Sequence, residues 1–227
     1  VVPLSRRAVL YDLRYCSQEH LLSTDYVVVE TTDSGSLKPY AVDGEDGLDG
    51  LTAKAMADAL GTSTQPIFTA FGSMDTVRQE VCAAAVRVYD RYTNAGLQEK
   101  IPFFGVGMQY IRFAREEPEL YRLLFLTRAQ GQGWSAMQSM KHLQTLVRPT
   151  LMEIYQISEL EADLYFCDLW FVVHSLSTLI VTGDCPYSDQ EIGQVLTGVS
   201  ISICKSIKEI TGFAAGTFDR DAAFRAL

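Results

Sequence analysis

Basic residues are in short supply. The chain carries 19 Lys and Arg against 28 Asp and Glu, a formal net charge of −9 over 227 residues. That balance argues against a protein that grips nucleic acid by general positive charge. Five cysteines, Cys16, Cys82, Cys167, Cys185 and Cys204, are odd in number and widely spaced. No pair has C-x-x-C spacing, which argues against a zinc site. Cys82 and Cys204 sit among apolar residues and read as buried free thiols in a reducing cytoplasm. A glycine-rich phosphate loop is lacking, so no nucleotide cofactor is expected. No nucleophile–base pair and no metal-ligand spacing is present, so neither a catalytic centre nor a metal site is expected. The longest apolar stretch, Leu169 to Val181, is shorter than a membrane span and contains His174 and three hydroxyl residues. With no signal peptide, repeat or low-complexity segment either, the expectation is a cytoplasmic protein without membrane contact.

What is present is helical patterning. Apolar residues make up 48% of the chain, ordinary for a globular protein with a buried core. Charge is unevenly spread. Residues 1–50 hold four Lys/Arg and nine Asp/Glu, giving −5; residues 51–98 hold four of each; residues 99–227 hold eleven and fifteen, giving −4.

The chain is organised around residues 51–77, LTAKAMADALGTSTQPIFTAFGSMDTV. Leu51, Ala55, Met56, Ala59 and Leu60 fall on one face of a short helix that Gly61 ends. Ser63 suits the N-cap of a second short helix, and Pro66 then lies in its first turn, where a missing N–H does no harm. Ile67, Ala70 and Phe71 form a second small apolar face. Gly72 breaks, Ser73 caps, and Asp75 favours the start of a third helix. Two short helices with a Gly-containing turn have the spacing of a helix-turn-helix.

The segment GTSTQPIFTAFGSMDTV resembles the second half of the DNA-binding domain of the tetracycline-repressor (TetR) family. There the turn and recognition helix read roughly G-V-S-x-x-x-L-Y-x-x-F, then x-x-K-x-x-L. Gly61, Ser63, Ile67, Phe68, Phe71 and Val77 stand in those places, with Phe68 for the family's phosphate-contacting Tyr and Met74 for its Lys. The resemblance implies a homodimer on double-stranded operator DNA. Thr52, Ser63, Thr64, Gln65, Pro66, Phe68, Thr69 and Met74 match its contact positions. With no basic stripe, affinity should rest on dimerisation and neutral contacts.

Residues 1–47 are atypical for that family. Leu4 to Leu22 reads as a helix capped by Ser5; its Arg6, Arg7 and Arg14 suit either a solvated face or a phosphate-contacting arm. His20 lacks a second ligand at i+4. Tyr26 to Thr32 and Ser36 to Val42 read as a small β-hairpin, with Pro39 restricting the return strand to an edge. Asp43 to Gly50 is an acidic loop. Either the first helix serves the DNA-binding domain across a hairpin insertion, or that three-helix domain is incomplete.

The helix from Met74 to Ala95 carries a stripe of Val77, Val81, Ala84 to Ala85, Val88 and Tyr92, and completes a region spanning residues 48–96. Residues 97–212 form an all-α body, and 213–227 a tail. Pro102 opens a helix that Pro118 stops, and PELYRLLFL adds a short one. The trio Glu116, Glu117 and Glu119 reads as a solvated junction. GMQYIRFAREEPELYRLLFL is similar to a junction in TetR-family bodies of the WHG class. Trp134 to Ile157 is a long helix containing Pro149. Ser158-Glu-Leu-Glu161 and Ser188-Asp-Gln-Glu191 are capping boxes opening two further helices, closed by Gly183 and Gly212. In LWFVVHSLSTL, Trp170 and His174 match the Trp and His of the WHG class, and Ser175 replaces its Gly. At i, i+4 the two share a helix face, as core, pocket edge or dimer seam.

The helices near 158–182 and 188–211 have apolar surface too wide for one core and should form the dimer interface. Phe104, Met108 and Ile111, then Trp134, Met137 and Met140, then Phe166 and Trp170 lie at core-facing spacing. They suit either a filled core or an adaptable apolar cavity, with Tyr110 and His174 to orient a ligand. TetR-family bodies enclose such a cavity, which implies an apolar or aromatic small-molecule effector. The rival expectation is an all-α ligand-binding or dimer-scaffold protein that has lost DNA binding through its altered amino terminus.

Overall fold

The computed structural model describes residues 26–30, 37–41, 52–60, 63–126 and 135–225. The expected helix over Leu4 to Leu22, the acidic loop, Gly61 and Trp134 lie outside the described residues. The fold is all-α with one small hairpin, and its contacts group into two units. One holds residues 1–89 and 119–136, the other 90–118 and 137–227. The division differs from a cut at residue 96: it falls inside a helix, and the segment after Pro118 groups with the first unit.

In the first unit, β1 (Tyr26–Glu30) pairs antiparallel with β2 (Leu37–Ala41), Tyr26 opposite Ala41 and Glu30 opposite Leu37. Pro39, which has no N–H to donate, faces Val28 in a sheet whose strands are both edges. Helices α1 (Ala53–Leu60) and α2 (Gln65–Phe71) follow. The N-cap of α2 is Thr64, in helical geometry and without a side-chain cap; Ser63 does not fill that role. Pro66, the second residue of the helix, has no N–H to leave unsatisfied in the first turn. Gly72 ends α2 at φ 77°, a left-handed conformation that favours glycine. Ser73 then caps α3 (Met74–Leu97), its Oγ accepting from the Thr76 N–H at 3.2 Å.

Met56, Ile67, Phe71, Val77, Val81, Ala85, Val88 and Tyr89 are buried. Tyr89, rather than Tyr92, ends the buried stripe of α3 in this unit. Its ring meets Phe125 edge-on at 5.5 Å, and Phe125 packs on Tyr121 at 4.7 Å. This cluster draws α5 (Pro118–Tyr121) and the π-helical turn Arg122–Leu126 into the first unit.

The second unit begins with the last two turns of α3, which runs past Gly96. A Cβ on Gly96 would lie 2.5 Å from the Val106 backbone nitrogen, and one on Gly105 would meet the Gly96 carbonyl. The two glycines thus let α3 and α4 (Pro102–Glu116) touch backbone to backbone. The long helices α6 (Ala136–Tyr155), α7 (Glu159–Thr182) and α8 (Asp189–Glu209) complete the body, with short α9 (Arg220–Arg225) after them. Both capping boxes form: Ser158 and Glu161, and Ser188 and Glu191, each exchange reciprocal hydrogen bonds at a helix start. Gly183 closes α7 in left-handed geometry, whereas α8 ends at Glu209 with Ile210 as its cap, before Gly212.

Helix α7 packs against both α4 and α8. It is long and apolar enough, by length and composition, to cross a membrane, beyond what the run from Leu169 to Val181 suggested. Its burial explains that composition: Tyr165, Phe166, Leu169, Trp170, Val173 and Ser177 are all in the core.

Candidate functional site

Two features stand out, one in each unit. In the first, α2 presents Gln65, Phe68 and Thr69 to solvent, with Ser63 and Thr64 exposed just ahead of it, while Ile67 and Phe71 are buried. Phe68 is 44% exposed. Pro66 lies in the first turn. No side chain caps the amino end of the helix, and Thr69 Oγ1 donates back to the Gln65 carbonyl at 2.9 Å. Thr52 is exposed and precedes α1, its carbonyl accepting from the Met56 N–H at 3.0 Å. Met74 is half-buried at the start of α3. Nearby, the Asp75 carboxylate pairs with Arg78 at 3.0 Å, so that guanidinium is partly neutralised.

In the second unit a cleft of about 460 Å³ opens between α4, the end of α6, α7 and α8. Its apolar walls are Ile101, Phe103, Phe104, Leu169, Leu196 and Ile201. Gly107 forms part of the floor, where a Cβ would stand 3.3 Å from Leu196 Cδ1. The uncharged polar lining comes from Tyr155, Tyr165, Thr197, Ser200 and Cys204. Tyr165 donates to the Tyr155 hydroxyl at 3.3 Å, and its oxygen also lies 2.5 Å from Ser200 Oγ. Burial pushes the Tyr165 phenol well up and the Cys204 thiol up, so both stay protonated at neutral pH. Lys205, Lys208 and Glu209, from the last turns of α8, also line the cleft. A smaller hollow of about 330 Å³ lies beside it, sharing Ile101 and Phe104 and reaching Met108.

Of the residues expected to line a pocket, Phe104 lines both spaces and Met108 the smaller one. Tyr110, Trp170 and His174 come together elsewhere in the core. The Tyr110 hydroxyl lies 3.1 Å from His174 Nδ1, and the Trp170 and His174 rings stack at 4.6 Å, 7° from parallel. Burial pulls the His174 imidazole down, which keeps it neutral at physiological pH. Ile111 and Phe166 are buried, the latter against Phe103 at 6.3 Å between ring centroids. Met137 is exposed on α6 and Met140 half-buried. Thus the Trp–His pair at i, i+4 is a packed contact between a buried Trp170 and a half-buried His174, and the open space is bordered on α7 by Tyr165 and Leu169 instead.

Tyr155, Tyr165, Leu196, Ser200 and Cys204 were not anticipated as lining residues. A signal did exist: Leu196, Ser200 and Cys204 recur every four residues, placing a hydroxyl and a thiol in line on one face of α8. A second unanticipated feature is Glu117. It is half-buried after α4, and burial, with the neighbouring Glu116 carboxylate adding to it, pushes its pKa up to about 7. The expectation of a solvated acidic junction holds for Glu116, which is exposed, accepts from the Tyr92 hydroxyl at 2.8 Å and pairs with Arg112 at 2.7 Å. Among the described residues no group of His, Cys, Asp and Glu is arranged to hold a metal ion.

No known family model matches the chain, and no curated protein is similar enough to match it.

Proposed function

We propose that the chain is a TetR-like transcriptional regulator, most simply a repressor, that binds operator DNA as a homodimer and is relieved by a small apolar or aromatic effector in the cleft. The observation that carries this reading is the exposed face of α2. A short helix that buries Ile67 and Phe71 yet leaves Gln65, Phe68 and Thr69 in solvent, behind exposed Ser63 and Thr64, suits insertion into a major groove. Gln65 has the side chain to pair with an adenine edge. Dimerisation would use α7 and α8, where Leu160, Phe171, Leu179 and Val195 are exposed apolar residues. Effector binding would shift the population of DNA-competent geometry. The reading assigns no catalysis, metal or cofactor, and a cytoplasmic location.

One observation favours a second reading. Helix α2 contains no Lys or Arg, and Phe68 and Met74 stand where phosphate-contacting residues would be expected. An all-α ligand-binding or scaffold protein without DNA binding would have the same body. A gel-shift with duplex DNA from upstream of the encoding operon separates the two. The regulator reading predicts a sequence-specific complex that Gln65→Ala weakens by about 5- to 150-fold, since a bidentate base contact is worth about 1–3 kcal/mol. No shift at low salt would favour the scaffold.

A further inference from the structure

We propose that the cleft takes an amphipathic organic monoanion: a carboxylic acid with a hydrocarbon or aromatic body, its carboxylate held at Lys205 and Lys208. The inference rests on reading the cleft as the effector site and adds the chemical class of the ligand.

The charge lining the cleft differs in sign from the molecule. The chain as a whole carries −9, but the charged lining residues are Lys205, Lys208 and Glu209, a net of +1. Neither lysine forms an ion pair within 4.0 Å among the described residues, so each ammonium has capacity for an anionic partner. Lys208 has a second reason for its position, because it lies in the last turn of α8, where the helix dipole favours a cation. Lys205 is a turn earlier and lacks that reason.

The rest of the lining sorts by polarity. Phe103, Phe104, Leu169 and Leu196 form an apolar interior, and Ile101 and Ile201, respectively 57% and 52% exposed, remain as uncovered apolar surface at its edge. Between interior and lysines stand Ser200 and Cys204, one and two turns along the same face of α8. Ser200 and Tyr165 spend their protons on one another and on Tyr155, whereas the Tyr155 hydroxyl, which accepts from Tyr165, and the protonated Cys204 thiol can donate to an oxygen ligand without adding negative charge. An apolar body would therefore displace water from the aromatic wall while the carboxylate meets the ammonium groups. One net positive charge matches one negative charge, and no Arg lines the cleft to hold a phosphate bidentately.

The test uses the full chain, with uncharged N-phenyl-1-naphthylamine as a fluorescent reporter and decanoate against methyl decanoate as competitors. These two differ in charge and share a chain of the same length. Decanoate is expected to compete about tenfold more tightly than the ester, with the preference shrinking as salt rises. The double variant K205M/K208M should remove the preference while leaving ester binding unchanged. Glu209→Gln should tighten decanoate binding by a few fold and leave the ester as it was. Equal competition by acid and ester, a preference that survives K205M/K208M, or no competition by either would overturn the proposal. Failure of the regulator reading is separately visible. If decanoate competes as expected but never alters DNA binding, the ligand class stands and the regulator reading falls. If the ester releases DNA as well as the acid does, regulation stands and the anion assignment falls.

Discussion

At the scale of single residues, Glu117 shows how a local surrounding overrides composition. Three carboxylates within four positions read as solvent-facing, and Glu116 is. Glu117 instead follows α4 half-buried beside Glu116, with Arg91 only partly offsetting the burial and the like charge. A carboxyl with a folded pKa of about 7, above its ordinary 4.5, binds its proton more tightly in the folded protein than in the unfolded chain. Its favourable contribution is complete below pH 4.5 and is lost as pH rises through about 7. Glu117→Gln, which keeps the shape and removes the ionisation, should therefore raise Tm at pH 8 and leave it nearly unchanged at pH 5. A thermal melt series across that range reads it; a variant that gains as much at pH 5 as at pH 8 would show that the carboxyl is not titrating in this window.

At the scale of elements, sequence and structure agree where the determinants are local. A capping box is a pair of residues three apart, and both form as expected at Ser158 and Ser188. Pro102 and Pro118 likewise bracket α4 and its end. The disagreements are contacts with partners distant in sequence. Asn94-Ala-Gly96 reads as a helix end, and α3 does end one residue later at Leu97, but the backbone contact of Gly96 with α4 is not legible in the sequence. The side of α7 that carries Trp170 and His174 reads equally well as pocket or core; only the position of α4 shows that it is filled. The same limit hid the cleft. Periodicity tells which side of α8 is apolar, but not where Phe103, Tyr155 and Tyr165 leave a gap beneath it. The Gly96 contact gives a direct check. Gly96→Ala would set a methyl 2.5 Å from the Val106 nitrogen, and backbone cannot give way as a side-chain tip can. A loss of about 1–3 kcal/mol in denaturant unfolding is expected, despite the better helix propensity of Ala. A neutral or stabilising result would mean that α3 and α4 do not approach so closely.

For the molecule as a whole, the proposed activity needs two copies, since one short neutral helix cannot hold DNA by itself at physiological salt. Helix α7 buries one broad side against α4 and α8, and Leu160 and Phe171 on its outer side are each more than half exposed. Phe171→Glu should therefore give a monomer where the wild type sediments as a dimer at micromolar concentration, with helix content by circular dichroism retained. A wild-type monomer would remove the basis for paired recognition helices. The central claim, that the chain reads DNA sequence, is tested most directly by selecting binders for the full-length protein from a pool of random duplexes. The account predicts an enriched two-fold symmetric site, its half-sites about 34–36 Å apart, and loss of the enrichment with Gln65→Ala. A pool that stays random at low salt would contradict it.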